Sequence, residues 1–210
     1  LAYVSRGGLK LEKALKEFNL NIQDLLMLDI GSSTGGFTDC GLQNGAKEVY
    51  ALDVGTNQLV WKLRNDPRVH VMEQTNFRHA TLDMFEFGQP EFSSIDVSFI
   101  SLKHILPPLS QILVKDGFVV ALIKPQFEAG KENVGKNGVV RDANVHYSVI
   151  KDITDFLLEI GFSIIGLDYS PITGPKGNIE YLAYLKKDAC GRSVTKEDIK
   201  NVIDSSHSEL

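Results

Sequence analysis

The sequence predicts an α/β fold: a mostly parallel seven-stranded sheet with the last strand antiparallel and helices on both faces. Three observations predict it. Short apolar runs recur at 25–30, 49–52, 69–72, 91–97, 118–123, 162–168 and 179–185, bounded by Gly, Asp or Pro. They are the length of strands buried on both faces and too short for lone helices. Amphipathic segments separate most of them, the pattern of crossover-linked parallel strands. The last two runs are joined by Ser170-Pro171-Ile172-Thr173-Gly174-Pro175-Lys176-Gly177-Asn178, with no helix between them, so the final strand returns antiparallel.

In order, residues 5 to 18 form a helix: Ser5 is placed to cap it, and Leu11, Ala14, Leu15 and Phe18 recur at i, i+3, i+4 and i+7. Lys10 lies about 100° from Leu11, at the edge of that stripe, while Lys13 and Lys16 turn more toward water. Lys10 therefore either faces a cleft or lays its stem over apolar surface as a border lysine. The first strand reaches Ile30, a glycine-rich turn follows, and a helix starts after Gly35. The second strand ends at Asp53, and a short helix around Gln58 to Leu63 carries Trp61, read as a packing residue. Val69 to Met72 is the third strand, followed by Asn76 in a loop, and Glu91 to Val97 is the fourth. Asp96 sits near the carboxyl end of the fourth, where ligands of open α/β sheets collect. Pro107 and Pro108 require a kink or a late start in the helix from Leu102 to Val114. The fifth strand, Phe118 to Ile123, ends directly in Lys124, a charge that either sits in a cleft beside partners or reaches solvent. Residues 127 to 140, rich in Gly, Lys and Asn, read as a mobile loop near the same edge. Val145, Val149, Ile153, Phe156, Leu157 and Ile160 place a helix over Asn144 to Ile160, closed by Gly161. Residues 188 to 210 are a tail with a short helix from Thr195 to Ile203.

The turn that opens at Asp29 is the expected ligand loop. Gly31, Gly35 and Gly36 let the backbone approach a ligand closely, and N–H groups at the start of the next helix attract acceptors. Gly31 to Thr38 fits the phosphate-loop frame G-x-x-x-x-G-K-[ST] except that Phe37 stands where the lysine must be. The dinucleotide frame G-x-G-x-x-G fails at Ser33, where the backbone must meet a pyrophosphate. S-adenosylmethionine has no phosphate and asks only for a close turn, donors for its carboxylate and an acid for its ribose. Asp53 supplies the acid, 22 residues after Gly31 at the end of the second strand. A turn that merely packs strand on helix stays open as the alternative.

With 210 residues, 43% of them apolar, the chain can bury one sizeable core and does not require two domains. Cys40 and Cys190 match no zinc or C-x-x-C spacing and neither reads as catalytic, which suits a reducing cytoplasm. No apolar run approaches the ~18 to 20 residues of a membrane span, and the start Leu1-Ala2-Tyr3-Val4-Ser5-Arg6-Gly7-Gly8 is not a signal peptide. A net charge of −5 argues against tight nonspecific nucleic-acid binding by this segment alone, leaving local basic patches. The first residue is Leu1 rather than Met, which suggests that something upstream is left out.

Four separated groups of residues coincide with one pattern. Val4-Ser5-Arg6-Gly7-Gly8-Leu9-Lys10, the Asp29 to Thr38 loop, Asp96-Val97-Ser98-Phe99-Ile100-Ser101-Leu102 and Lys124-Pro125-Gln126-Phe127-Glu128 closely resemble the TlyA (hemolysin A) family of FtsJ-like ribosomal RNA 2′-O-methyltransferases. Gly-Val-Val-Arg-Asp at 138 to 142 and Gly-Asn-Ile-Glu at 177 to 180 also resemble that family, and the likeness covers residues 3 to 187. It implies a Rossmann-like S-adenosylmethionine-dependent methyltransferase fold over 1 to 187, ribosomal RNA or ribosomal subunits as partner, and a cytoplasmic enzyme. It also implies that the family's small amino-terminal S4-type RNA-binding domain is missing here, in keeping with Leu1 and the weak basicity. The family's hemolysin label implies membrane damage, but nothing in the sequence supports a pore, so the label is taken as indirect.

The resemblance further implies a lysine, aspartate, lysine, glutamate catalytic set, matched here by Lys10, Asp96, Lys124 and Glu180. A ribose hydroxyl is a poor nucleophile and needs in-line placement and a route for its proton. A lysine in water is protonated; burial and a neighbouring cation favour the neutral amine, whereas carboxylates favour the ammonium, so Lys124 is expected either to orient or to deprotonate the hydroxyl. Lys10 and Glu180 would set its position and charge, and Asp96 would hold it and favour the sulfonium. For the cofactor, Gly31, Ser32 and Gly35 would line the methionine portion, Asp53 the ribose hydroxyls, and Val54 and Asn76 the adenine, with Asp29, Ser33 and Asp96 also in the cofactor-binding set. No metal cluster is expected. The rivals are an S-adenosylmethionine-binding RNA module without turnover, which four intact ionisable residues disfavour, and a small-molecule O-methyltransferase. Asp96-Val97-Ser98-Phe99 lacks the prolines of the N-P-P-[YF] motif that presents an amine, which disfavours DNA or protein as acceptor.

Overall fold

The computed structural model describes residues 1 to 210 as one seven-stranded sheet. The strands are β1 (Leu26–Ile30), β2 (Glu48–Leu52), β3 (Val69–Met72), β4 (Phe92–Ile95), β5 (Phe118–Ile123), β6 (Ser163–Tyr169) and β7 (Tyr181–Lys186). Their order is β3-β2-β1-β4-β5-β7-β6; the first five are parallel, and β7 runs antiparallel to both neighbours. The expected hairpin return therefore occurs, with the last strand inserted between β5 and β6. The seven helices are α1 (Gly8–Glu17), α2 (Gly36–Gln43), α3 (Trp61–Arg64), α4 (Leu106–Ile112), α5 (Pro125–Glu128), α6 (Ala143–Glu159) and α7 (Lys196–Glu209).

Two apolar clusters lie on the two faces of the sheet. One joins α4, α6 and α7 to side chains such as Leu28, Tyr50, Ile95 and Tyr181; the other joins α1 and α2 to Met27, Val49, Phe92 and Leu182. Alternate residues of one strand, such as Met27 and Leu28, enter opposite clusters because the side-chain period of a strand is two.

Several expectations are corrected. The first helix begins at Gly8 with Gly7 before it, and Ser5 makes no capping bond. Its start is set by packing: a Cβ on Gly36 would lie 2.4 Å from Ser5 Oγ and 2.8 Å from the Gly8 nitrogen, so the opening of α1 presses directly on that of α2. Lys13 does not face water; its Nζ donates to the Tyr169 carbonyl at 2.6 Å and lies over the Tyr169 ring. Trp61 is 77% exposed rather than packed, because α3 is a single turn and Leu59 and Leu63 fill the space against Gly35. The end of the segment expected to be mobile is held: Val139 and Val140 are buried, and Asn178 accepts from the Val140 N–H at 3.1 Å and donates to the Gly138 carbonyl at 3.0 Å. The terminal helix runs to Glu209, is capped by Thr195 and Asp198, and buries Ile199, Ile203 and Ser206. No helix is long and apolar enough to cross a membrane.

Candidate active site

β1 ends at Ile30, and the chain then turns at Gly31, whose φ is +84°. A Cβ there would lie 2.1 Å from the Asp96 carbonyl oxygen, so only glycine lets the turn after β1 pass beside the end of β4. The amides of Gly31 and Ser32 both donate to the Leu52 carbonyl, that of Ser33 to Asp53 Oδ2 at 2.7 Å, and that of Gly35 to the Ser32 carbonyl. The first three bonds tie the turn to the end of β2 and the residue after it, and the fourth closes the turn on itself. Replacing Gly31 by Ala is expected to cost about 3 kcal/mol of stability, through steric overlap and a left-handed φ, and to close the cleft. Thermal melting and equilibrium cofactor binding check both parts.

Beside the turn opens a cleft of about 380 Å³, within the range of small-molecule sites. Gly31, Ser33, Asp53, Val54, Asn76 and Asp96 line it, with Gln58, Thr75, Phe77, Val97 and Ser98 among the residues that sequence reasoning did not single out. Asp29, Ser32 and Gly35 do not line it. Asp29 lies fully buried beneath the turn, accepting from Thr38 Oγ1 at 2.7 Å and Ser94 Oγ at 3.2 Å. Burial, with Asp96 and Asp53 adding repulsion, pushes its carboxyl from 3.8 to about 7 against those two bonds. Asp53 also accepts from the Gly55 N–H at 2.9 Å, so two backbone bonds hold its carboxylate and leave lone pairs for further donors.

Lys10, Asp96, Lys124 and Glu180 lie along the carboxyl rim of the same sheet. Lys124 Nζ is 2.5 Å from Asp96 Oδ1 and 3.3 Å from Ser98 Oγ. Ile123 pairs with Tyr181 across β5 and β7, so the next step along each strand brings Lys124 beside Glu180. Glu180 is 1% exposed; its Oε1 accepts from Lys10 Nζ at 2.9 Å and its Oε2 from Gln126 Nε2 at 2.8 Å. Lys10 is itself buried, which settles its orientation: it faces inward, not the solvent border. Two buried cations are thus matched by two carboxylates, the arrangement that makes such burial tolerable. Ser98 and Gln126 escaped notice although they lie inside the quoted motifs, because only register across the sheet reveals whom they touch.

Residues 3–187 match the family model of the FtsJ-like methyltransferases. The chain belongs to that family. Hemolysin A of Brachyspira hyodysenteriae is 48% identical over 184 residues, spanning 88% of this chain and 77% of its own. The 16S/23S rRNA (cytidine-2′-O)-methyltransferase TlyA of Mycobacterium tuberculosis is 40% identical over 208 residues, spanning 99% of this chain and 77% of its own. The solved structure of a candidate hemolysin from Streptococcus thermophilus is 59% identical, with a TM-score of 0.97 over 100% of this chain and 76% of that one. The methyl donor of this FtsJ-like methyltransferase is S-adenosylmethionine, and the residues present fit it: a glycine-only approach at Gly31, a held carboxylate at Asp53, and an apolar wall of Ile30, Leu52, Val54 and Phe77.

Proposed function

We propose that the chain methylates the 2′-hydroxyl of a ribose in ribosomal RNA, as the printed names of its TlyA relatives describe for those proteins. The observation that carries the reading is the Lys124–Asp96 pair at 2.5 Å: Asp96 is on the wall of the cofactor cleft and Lys124 stands just outside it. A nucleophile held by Lys124 is thereby presented to whatever Asp96 faces inside the cleft.

When bound, S-adenosylmethionine supplies an electrophilic methyl group on a sulfonium. Gly31 and Ser33 would meet its methionine end, Asp53 its ribose hydroxyls, and Val54 and Asn76 its adenine. Asp96, a carboxylate on the wall, favours a cation beside it. Lys124 Nζ directs two of its positions at Asp96 and Ser98; the third orients the acceptor hydroxyl when it carries an N–H, or takes the hydroxyl proton when it is the lone pair of a neutral amine. Glu180, fixed by Lys10 and Gln126, sets the electrostatic surroundings of Lys124. In this reading the enzyme acts on ribosomal RNA in the cytoplasm, with residues 1 to 187 as its catalytic unit.

The test is transfer of labelled methyl from S-adenosylmethionine to ribosomal subunits by the full-length protein, with the 2′-O-methyl positions mapped. Label in a small-molecule pool alone, or binding with no transfer, refutes the reading. Asp53→Ala is expected to weaken cofactor binding about thirtyfold, some 2 kcal/mol for charge-assisted bonds to a ribose, read by calorimetry.

A further inference from the structure

The loop after β4 (residues 96 to 102) and the segment after β5 (residues 124 to 128) face each other, and they are tied at both ends. At one end Lys124 bonds Asp96 and Ser98. At the other, Glu128 Oε1 accepts from Ser101 Oγ at 2.5 Å and Oε2 from the Leu102 N–H at 3.0 Å. Between the ties the rings of Phe99 and Phe127 meet at 4.9 Å. Phe99 is 90% exposed with φ +64°, a left-handed conformation that a bulky residue keeps only when its surroundings enforce it.

We infer that Glu128 is a positioning residue for methyl transfer: its carboxylate braces the loop after β4 so that Asp96 and Ser98 stay on Lys124 and Phe99 stays at the rim. The carboxylate makes no ion pair within 4 Å, and Lys103, the cation whose charge acts on it, is engaged by Asp152 at 2.5 Å. Burial pushes its carboxyl above the usual range, opposed by the two bonds it accepts. A half-buried carboxylate without an ion-pair partner is a poor way to gain stability, and both of its bonds cross from one loop to the other. Ser101 lies two residues beyond Phe99, so fixing it closes the strained segment from the side that Lys124 does not reach.

The inference rests on the transfer reaction proposed above, and its test separates the two. Glu128→Ala in the full-length protein is expected to lower kcat for subunit methylation about 30-fold while cofactor Kd moves less than threefold. Glu128→Gln, whose amide can accept from the Leu102 N–H and donate to Ser101 Oγ, is expected to restore kcat to within about threefold of the parent. Ser101→Ala should lower kcat several-fold and add little to Glu128→Ala in the double variant, because the two act through one bond. Hydrogen exchange needs no RNA: Glu128→Ala should speed exchange over residues 97 to 103 and leave 31 to 38 unchanged. If the parent transfers no methyl yet this exchange pattern appears, the brace stands and the RNA reading falls. Unchanged exchange, or a Gln variant as slow as the Ala variant, overturns the brace. Should Glu128→Ala fail to fold, Ser101→Ala decides: normal kcat and normal exchange in it refute the inference.

Discussion

Replacing Lys124 by Met is expected to lower kcat for methyl transfer by about 10³ while leaving cofactor affinity within about threefold. The expectation follows from where the side chain stands. Lys124 is not on the wall of the cofactor cleft, whereas its partner Asp96 is, so its Nζ serves the acceptor side. Met keeps the buried stem's volume and leaves Asp96, whose side chain is 22% exposed, able to take up water in place of the lost cation. Removing a positive charge near a cationic cofactor would, if anything, tighten its binding. Ala is the poorer probe because it adds a cavity at a nearly buried position. Single-turnover transfer and equilibrium binding read the two quantities separately. Turnover retained within tenfold removes Lys124 from the chemistry; parallel loss of binding and turnover would mean that the substitution had displaced Asp96 instead.

The strands that could be read to the residue are those whose apolar runs end abruptly. Val69–Met72 and Phe118–Ile123 match because Asp, Pro and Arg precede the one and Lys124-Pro125 stops the other. Glu91 to Val97 shrinks to Phe92–Ile95, since the Glu91 and Asp96 amides still bond β1 carbonyls while the chain there is already turning. The two-proline helix starts late, at Leu106, after a single tight turn at Leu102–His104, as missing N–H donors require. Side-chain partners were less legible. That Lys10 turns inward depends on Glu180, 170 residues away, and helical period alone leaves it on the border. Ser98, Gln126 and Glu128 lie within readable motifs, but their partners are 26, 54 and 27 residues distant and are chosen by sheet order. Trp61 misled because aromatic burial is an average tendency, which a one-turn helix with two leucines facing the core overrides.

Asp29→Asn is expected to stabilise the protein by about 4 kcal/mol at pH 8 and by much less at pH 5. The carboxyl is raised from 3.8 to about 7, chiefly by burial. Below pH 4 the folded and unfolded chains both hold the proton and the site costs nothing in charge. Between about pH 4 and 7 the unfolded chain releases it and the folded chain keeps it, so stability falls as pH rises. Above 7 the penalty is fully present and constant. An amide stays neutral throughout, can accept the Thr38 Oγ1 bond and can donate to Ser94 Oγ, so it escapes the charge penalty and keeps a contact with each hydroxyl oxygen. At this size the gain corresponds to roughly 10 °C in Tm, and an equal difference at pH 5 and pH 8 would refute the account. The same carboxyl is coupled to the cleft through charge. Asp53 and Asp96 raise it by repulsion, and both line the cleft, so a cation bound there opposes that repulsion and favours loss of the Asp29 proton. Cofactor affinity should therefore increase as pH rises through about 7 in the parent and lose that dependence in Asp29→Asn, which calorimetry in buffers of different ionisation enthalpy reads directly as released protons.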